Sequence, residues 1–178
     1  MSRPGTDLAV PVDGDDHMRG PVDAPVTLLE YGDYECPDCF GARLVVEEVQ
    51  ERMGDALRMV WRHFPIATIH PGAEDAAQTA EAAAAQGRFW EMHDKLLAYQ
   101  GGLHGEILEI WARKLGLDVP RLRRELVEGT HADRVRRDMR SGERSGVNGT
   151  PTFFINGTRY TGRIGPDDLL HALAGHIG

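Results

Sequence analysis

The two cysteines of this 178-residue chain are three positions apart, in the tetrapeptide CPDC at residues 36–39. The tetrapeptide follows a short apolar run and precedes apolar residues that recur at helical spacing up to Met53. Cysteines at positions i and i+3 of a helix lie on one face, about 5–6 Å apart between Cβ atoms, close enough for a disulfide. A helix start also has unpaired N–H groups and partial positive charge, which favour a thiolate at Cys36. The sequence therefore predicts a redox-active cysteine pair where a strand passes into a helix.

The residues around the tetrapeptide have the pattern of a βαβ unit. Residues 26–31 (VTLLEY) are apolar and β-forming, which predicts a buried strand. The helical pattern that begins at Cys36 ends at Gly54, and residues 57–64 then alternate up to Pro65. A strand, a helix and a second strand in this order predict two parallel strands joined by the helix.

The rest of the chain divides into a helical block and a second β segment. Residues 73–144 have helical periodicity, interrupted at Gly87. Residues 151–155 return to a β pattern and are followed by Asn-Gly at 156–157, the strongest short-range indication of a β-hairpin. A last helix is predicted from Pro166, so a helical insertion separates a βαβ half from a ββα half.

Charge and hydropathy exclude several classes of function. The net charge of −8 disfavours nucleic acid as the main partner, because phosphate binding depends on clustered Lys and Arg. Residues 121–144 contain eight arginines and five acidic residues, which we interpret as a solvent-exposed helical surface of opposite charges. No signal peptide is recognisable and no apolar run could span a bilayer. The sequence predicts a cytoplasmic protein without membrane insertion, or an extracytoplasmic one if the N-terminus is incomplete.

Three segments, in this order, resemble the DsbA-like thiol–disulfide oxidoreductases of the thioredoxin superfamily. They are EYGDYECPDC at residues 30–39, GRFWEMH at 87–93 and GTPT at 149–152. The resemblance extends from about Gly20 to the end of the chain. It implies disulfide exchange with cysteine-containing protein substrates, a redox recycling partner of unknown identity, and a monomer.

The resemblance also implies the fold. The expected class is α/β, a thioredoxin-like fold with a helical insertion between the βαβ half and the C-terminal ββα half. We expect an extended N-terminal segment over residues 1–20 and a thioredoxin-like domain over residues 21–178. Within that domain, an inserted helical subdomain is expected over residues 70–146.

Carried over by position, the resemblance assigns roles to four residues. Cys36 is expected to be the exposed nucleophile, and Cys39 the buried thiol that resolves the mixed disulfide with the substrate. Pro151 is expected to be a cis-proline that faces the cysteines. The backbone of Thr150 is expected to pair with a substrate strand. Without the CPDC tetrapeptide upstream, the preferred interpretation of Pro151 would be a proline at the start of a strand.

Glu30 is a candidate for proton transfer. It shares strand parity with Val26 and Leu28, so its carboxyl group should lie among apolar side chains, where desolvation raises its pKa. It also lies six residues before Cys36, and the resemblance implies that it passes protons to and from Cys39. The alternative is that Glu30 lies in solvent at a strand edge.

The two residues between the cysteines, Pro37 and Asp38, are expected to modulate the redox potential. Asp38 stands where the best-known oxidising members of the family carry histidine. A carboxylate within a few Å opposes a Cys36 thiolate, and this destabilises the reduced form. We therefore expect a potential below the ~−120 mV of the strongest oxidant and nearer the ~−270 mV of thioredoxin.

A zinc site is another use of a Cys-x-x-Cys pair, and it normally requires two further Cys or His ligands. The chain has no other cysteine, and its eight histidines show no His-x-x-x-His pattern. They are His17, His63, His70, His93, His104, His131, His171 and His176. Lone histidines of this kind are more often structural, and the sequence predicts neither a metal nor a cofactor.

Two functional alternatives use the same scaffold. One is a chaperone or polypeptide-binding module that holds unfolded chains beside Pro151 and uses the thiols as a redox sensor. The other is a glutathione-dependent isomerase or transferase. The presence of Cys39 disfavours the second alternative, because those relatives generally lack the resolving cysteine.

Overall fold

A five-stranded mixed sheet with the strand order β1-β3-β2-β4-β5 forms the centre of the computed structural model, which describes residues 7–177. The part of the predicted N-terminal segment before residue 7 lies outside the described residues. The strands are β1 (His17–Arg19), β2 (Val26–Gly32), β3 (Leu57–His63), β4 (Thr152–Ile155) and β5 (Thr158–Arg159).

The predicted βαβ unit is confirmed. Helix α1 (Pro37–Met53) connects β2 to β3, and the two strands pair in parallel. The central strand β2 also pairs antiparallel with β4, and β4 with β5. The hairpin at residues 156–157 is confirmed, since both residues have the positive φ that its two-residue turn requires, 46° and 86°.

Strand β1 is the element that the sequence did not indicate. It contains three residues and lies antiparallel to β3 at the sheet edge, with His17 opposite Trp61. A polar three-residue strand has no periodicity of its own, so its existence depends on the partner strand.

Five helices lie between β3 and β4, as the predicted helical insertion requires, and a last helix follows β5. The division into an N-terminal segment, a domain and an inserted subdomain remains a prediction. The helices are α2 (Ala73–Ala84), α3 (Phe89–Leu97), α4 (Gly105–Lys114), α5 (Val119–Glu128), α6 (Ala132–Arg144) and α7 (Pro166–Ala174).

Both faces of β2 are buried. Val26 and Leu28 pack with residues of α1 and α7 on one face, and Leu29 and Tyr31 pack against Phe154 and its neighbours on the other. A strand at the centre of a sheet that is covered on both sides has no solvent-facing position. The alternation of side chains along β2 therefore determines which face of the sheet each side chain packs on, and it does not determine whether the side chain is buried.

Helix α1 turns a different face to the core than its largest apolar residues suggest. Its buried residues are Cys39, Ala42, Val46 and Val49, at a helical spacing of three and four. Leu44, which belongs to the apolar pattern of the sequence, is 55% exposed. Small side chains on the inner face let α1 approach the sheet closely and place Cys39 at the start of the buried stripe.

The arginine-rich segment, residues 121–144, forms a network of opposite charges, which agrees with the interpretation from the sequence. Its arginines pair with acidic residues of the same helices and of neighbouring ones. These pairs include Arg121–Glu125, Arg123–Glu109, Arg134–Asp138 and Arg136–Asp133.

Candidate active site

The CPDC tetrapeptide forms the first turn of α1. Cys36 is the N-cap residue, with extended backbone angles, and Pro37 is the first residue of the helix. Proline suits this position because its ring presets the helical φ and the N–H it lacks would be unpaired anyway. Cys36 is 6% exposed and Cys39 is fully buried, while Pro37 and Asp38 are exposed. Both cysteines are thus largely buried, and Cys36 is not the exposed residue that the sequence predicted, although it lines a surface pocket and Cys39 does not.

The environment of Cys36 stabilises its thiolate. Both cysteines are free thiols, and the pKa of Cys36 is lowered to about 5. The largest cause is a hydrogen bond from the Cys39 side chain, which outweighs partial burial, and the backbone N–H groups of Asp38 and Cys39 act in the same direction. The prediction about Asp38 considered its carboxylate alone, whereas its backbone N–H favours the thiolate.

Cys39 has the opposite environment. Burial raises the pKa of the Cys39 thiol far above its ordinary value, and the hydrogen bond that it gives to Cys36 and the negative charge of Glu30 raise it further. Cys39 therefore holds its proton while Cys36 is a thiolate. The Cys39 sulfur becomes nucleophilic only when Cys36 is no longer a thiolate or when Cys39 loses its proton.

Glu30 lies beneath the cysteine pair. It is 2% exposed, and its register on β2 places it between Trp61 of β3 and Phe153 of β4. Among the described residues, Glu30 Oε1 has no hydrogen-bond partner. Burial, followed by the charge of Cys36, raises the pKa of Glu30 to about 8. This carboxyl group is thus mainly neutral at pH 7 and titrates close to it.

Thr150 and Pro151 lie close to the cysteines in the fold, although they are more than 100 positions away in the sequence. The peptide bond between them is cis. Strand β4 begins one residue later and pairs Thr152 with Tyr31, so Pro151 lies beside the end of β2 that leads to the tetrapeptide. The Cys36 sulfur lies 3.3 Å from the carbonyl oxygen of Thr150 and donates a hydrogen bond to it when Cys36 is protonated.

Two acidic residues before the tetrapeptide, Asp33 and Glu35, fix its loop through contacts that the sequence did not predict. The buried carboxylate of Asp33 accepts the backbone N–H of Glu35 at 2.8 Å and that of Ile66 at 2.8 Å, and it lies 2.7 Å from His70 Nδ1. This places His70 in a structural contact beside the site.

Glu35 makes the corresponding contact with the helical insertion. Its carboxylate accepts the backbone N–H groups of Gly72 and Leu103, each at 2.7 Å. A Cβ atom at Gly72 would collide with Leu103 and with Glu35, so this junction is tightly packed. The acidic residues are visible in the sequence, but apart from the contact between Asp33 and Glu35 their partners lie 33 to 68 positions away, and nothing local indicates them.

The fold also brings together three side chains that could bind a metal. Ligand atoms of His17, His63 and Glu81 lie within 4.8 Å of one another. However, the indole N–H of Trp61 donates to His63 Nδ1, so Nε2 carries the proton and donates to Glu81 at 2.8 Å. A ligating histidine normally donates its other ring N–H to an acceptor, and Trp61 offers none. Hydrogen bonding in the cluster therefore favours a structural role.

His93 is likewise structural. Its Nδ1 lies 3.0 Å from the hydroxyl of Tyr34, and burial holds its pKa well below the ordinary range. The ring packs edge-on against Trp61 at 4.5 Å between centroids. His93 therefore stays neutral in the wall behind the cysteine loop.

The family model described as Thioredoxin matches residues 13–174. The chain belongs to the thioredoxin family. Its fold is that of the DsbA-like members, as the sequence predicted. This thioredoxin-family chain superposes on oxidised BdbD from Bacillus subtilis with a TM-score of 0.85, at 22% identity, over 96% of this chain and 97% of the other. It also superposes on a thioredoxin-like oxidoreductase from Silicibacter pomeroyi with a TM-score of 0.81, at 28% identity and 92% coverage of both chains.

Curated relatives of this thioredoxin-family chain carry the name of a transporter. A Na(+)/H(+) antiporter NhaA 1 from Salinispora arenicola is 50% identical over 168 residues, which is 94% of this chain and 26% of that protein. An NhaA 3 from Salinispora tropica is 50% identical over 157 residues, 88% of this chain and 24% of that protein. The chain thus spans about a quarter of these relatives. Across residues 7–177 we find no helix with the length and apolarity needed to cross a membrane.

Proposed function

We propose that this protein is a thiol–disulfide oxidoreductase that exchanges disulfides with cysteine-containing polypeptides through a mixed disulfide. The observation that carries the proposal is the opposite environment of the two thiols. Cys36 lines a surface pocket and has a pKa lowered to about 5, whereas Cys39 is fully buried and has a pKa raised far above its usual range. An exchange catalyst needs such an asymmetry, because one sulfur must attack the client disulfide first and the other must stay protonated until the mixed disulfide has formed.

In the reducing direction, the Cys36 thiolate attacks one sulfur of a client disulfide. A bond forms between Cys36 and that sulfur, and the other client sulfur leaves with the electron pair and takes a proton from solvent. Cys39, once deprotonated, attacks Cys36 and forms the intramolecular disulfide, and the first client sulfur leaves as a thiolate. The client gains two electrons and the cysteine pair loses them, and oxidation of a client dithiol is the reverse sequence.

Glu30 supports the second half of this cycle. With a pKa of about 8, the Glu30 carboxyl group is mainly protonated at pH 7, but its ionised fraction is a stronger base than an ordinary carboxylate. The negative charge of that ionised form raises the pKa of Cys39. We assign Glu30 the transfer of the Cys39 proton when the mixed disulfide is resolved.

The test is turnover with a protein substrate. The purified chain should accelerate reduction of insulin disulfides by dithiothreitol and refolding of reduced ribonuclease in a glutathione buffer. The double variant Cys36→Ser/Cys39→Ser is the matched control and should be inactive in both assays. Suppression of client aggregation without turnover would instead support a polypeptide-binding module.

A second candidate function follows from the curated relatives. Because 94% of this chain is 50% identical to part of a protein named as a Na(+)/H(+) antiporter, the pair could serve as a redox-responsive module of a transporter. Such a module would bind its transporter differently in the dithiol and disulfide states. Binding of the oxidised and reduced chain to membranes that contain the antiporter distinguishes this role from turnover with soluble clients.

A further inference from the structure

The chain contains two Asn-Gly dipeptides with nearly the same neighbours, VNGT at residues 147–150 and INGT at residues 155–158. An asparagine before a glycine is prone to deamidation, because glycine has no side chain to hinder its backbone nitrogen when that nitrogen attacks the asparagine side chain. The attack also requires that the asparagine can bring its side-chain carbonyl carbon to the nitrogen. The contacts of each asparagine in the fold therefore determine whether it reacts.

Asn156 is held in the β4–β5 hairpin. Its Oδ1 accepts the backbone N–H of Thr27 at 2.7 Å, and its Nδ2 donates to the carbonyl oxygen of Pro25 at 3.2 Å. Its own backbone N–H donates to the carbonyl oxygen of Thr27 at 2.9 Å. Attack by the nitrogen of Gly157 would require both side-chain hydrogen bonds to break, so the folded protein protects Asn156.

Asn148 lies in a different environment, the connection between α6 and β4. It is exposed, and within residues 7–177 neither its amide group nor the N–H of Gly149 has a hydrogen-bond partner. A Cβ atom at Gly149 would meet no atom within 4 Å, and the φ of Gly149 is not in the left-handed region. Neither space nor backbone angle therefore requires this glycine, and nothing in the described fold holds the Asn148 side chain away from its nitrogen.

The connection that contains Asn148 is anchored at both ends. Val147 is 5% exposed and packs with buried residues of β2 and β4. Strand β4 begins at Thr152, whose hydroxyl donates to the carbonyl oxygen of Gly149 at 2.7 Å. Between these anchors, the carbonyl oxygen of Thr150 lies 3.3 Å from the Cys36 sulfur. A change in the length of the main chain within the connection therefore acts on the residue that contacts the reactive sulfur.

We propose that Asn148 is a site of spontaneous deamidation, and that its conversion slows disulfide exchange as the protein ages. The backbone nitrogen of Gly149 loses its proton to solvent and attacks the side-chain carbonyl carbon of Asn148. A C–N bond forms, and the amide nitrogen leaves with the electron pair and takes up a proton to become ammonia. Water then opens the resulting succinimide at one of its two carbonyl groups and gives aspartate or isoaspartate. The reaction needs water and no oxidant.

Isoaspartate lengthens the main chain, because the chain then continues through the side-chain carbon atoms. One additional carbon lies between the anchors Val147 and Thr152, and Gly149 and Thr150 must accommodate it. We expect the carbonyl oxygen of Thr150 to move from its position beside the Cys36 sulfur, so that formation of the mixed disulfide slows. This consequence rests on the proposed function, whereas the deamidation does not.

Incubation of the purified protein at pH 8 tests the modification, and Asn156 is the internal control. Peptide mapping by mass spectrometry measures the conversion of each asparagine. Asn148 should convert at least about tenfold faster than Asn156 in the folded protein, whereas the two rates should become similar in concentrated urea, where the hairpin contacts are lost. Gly149→Ala should slow the conversion of Asn148 by about tenfold, because a side chain then hinders the attacking nitrogen.

Rapid-quench kinetics with a peptide disulfide test the consequence. Mixed-disulfide formation by aged protein that contains isoaspartate should be about tenfold slower than by fresh protein. Asn148→Gln, which keeps an amide but would need a larger ring, should retain its rate after the same incubation. Fresh Asn148→Asp has the new charge without the additional carbon, so its rate should fall less than that of the aged protein. Circular dichroism establishes that each sample is folded.

Three results would overturn the inference. They are equal conversion of the two asparagines in the folded protein, an unchanged rate in protein whose Asn148 has become isoaspartate, and a loss in fresh Asn148→Asp as large as that in the aged protein. Failure of the proposed function gives a different result, because the fresh protein would then react with no disulfide while mass spectrometry would still measure the conversion of Asn148.

Discussion

The Cys36 sulfur lies 3.3 Å from the carbonyl oxygen of Thr150, a residue 114 positions further along the chain. The contact joins the βαβ half of the fold to the residues that lead into β4. Neither half contains the whole candidate site, since one carries both thiols and Glu30 and the other carries the Thr150–Pro151 edge. The pairing of β2 with β4 brings them together.

The two thiols should have separable roles. Cys39→Ser should accumulate covalent mixed disulfides with client proteins, because the sulfur that resolves them is missing, whereas Cys36→Ser should form none. Non-reducing electrophoresis and mass spectrometry of acid-quenched reactions measure the trapped species. If both variants trap equal amounts of client, the order of attack proposed here is wrong.

Replacement of Glu30 should affect the second step of exchange. Glu30→Gln keeps the size of the side chain but cannot accept a proton, so resolution of the mixed disulfide should slow by about 10²-fold, while its formation by Cys36 changes little. Rapid-quench kinetics with a peptide disulfide measure both steps. Equal slowing of the two steps would exclude Glu30 from proton transfer.

Glu30 should also make stability depend on pH. Its pKa rises from 4.5 to about 8 on folding, so the unfolded chain ionises first and the folded protein loses stability as the pH rises from 4.5 to 8. The loss is at most about 5 kcal/mol at the upper end of this range. Reduced Glu30→Gln protein should lack this slope and be more stable than the parent at pH 8. Urea unfolding at several pH values measures it, and parallel profiles would contradict the assignment.

Asp38 should adjust the reduction potential. The Cys36 pKa of about 5 lies between the values of about 7 and about 3.5 known for thioredoxin and DsbA. We therefore expect a potential between ~−270 and ~−120 mV. Asp38→His should raise it by about 30 mV for each pKa unit by which the thiolate gains stability, and Asp38→Asn should raise it less. Titration against glutathione measures all three proteins, and a lower potential for Asp38→His would refute this role.

Glu81 should be important for stability. It is buried between His17 and His63, and its hydrogen bonds with both histidines hold its pKa well below the usual range despite burial. Because folding lowers the pKa of Glu81, the ionised carboxylate stabilises the folded protein fully above pH 4.5. This stabilisation declines below pH 4.5 and is lost as the pH falls through the much lower pKa of the folded state. Glu81→Gln should cost about 3–5 kcal/mol at pH 7, and less in acid.

A surface control separates this effect from a general loss of charge. Glu91→Gln removes an exposed carboxylate paired with Arg88 and should change the free energy of unfolding by less than about 1 kcal/mol. Thermal unfolding of the parent and both variants, at pH 7 and at about pH 2, provides the comparison. A loss for Glu81→Gln that is equally large at both pH values would refute the ionised state of Glu81.

Local patterns in the sequence were sufficient for much of the fold. The β-forming run at residues 26–31, the helical spacing after Cys36 and the Asn-Gly turn at 156–157 each depend on neighbours within a few positions, and the structure contains all three elements. The three-residue strand β1 and the exposure of Leu44 were not predicted, because both depend on contacts with distant parts of the chain.

Some features of the candidate site likewise follow from local sequence patterns, whereas others depend on contacts between distant residues. The sequence by itself determined that two thiols lie in the first turn of a helix and that Glu30 shares a face with Val26 and Leu28, because helix and strand periodicity are local properties. Only the tertiary structure decided that Cys39 donates to Cys36, that Thr150 meets the Cys36 sulfur, and that Asp33 and Glu35 fasten the loop. Hydrogen bonds and burial arise from atoms far apart in sequence, and they set the pKa values on which the proposed chemistry depends.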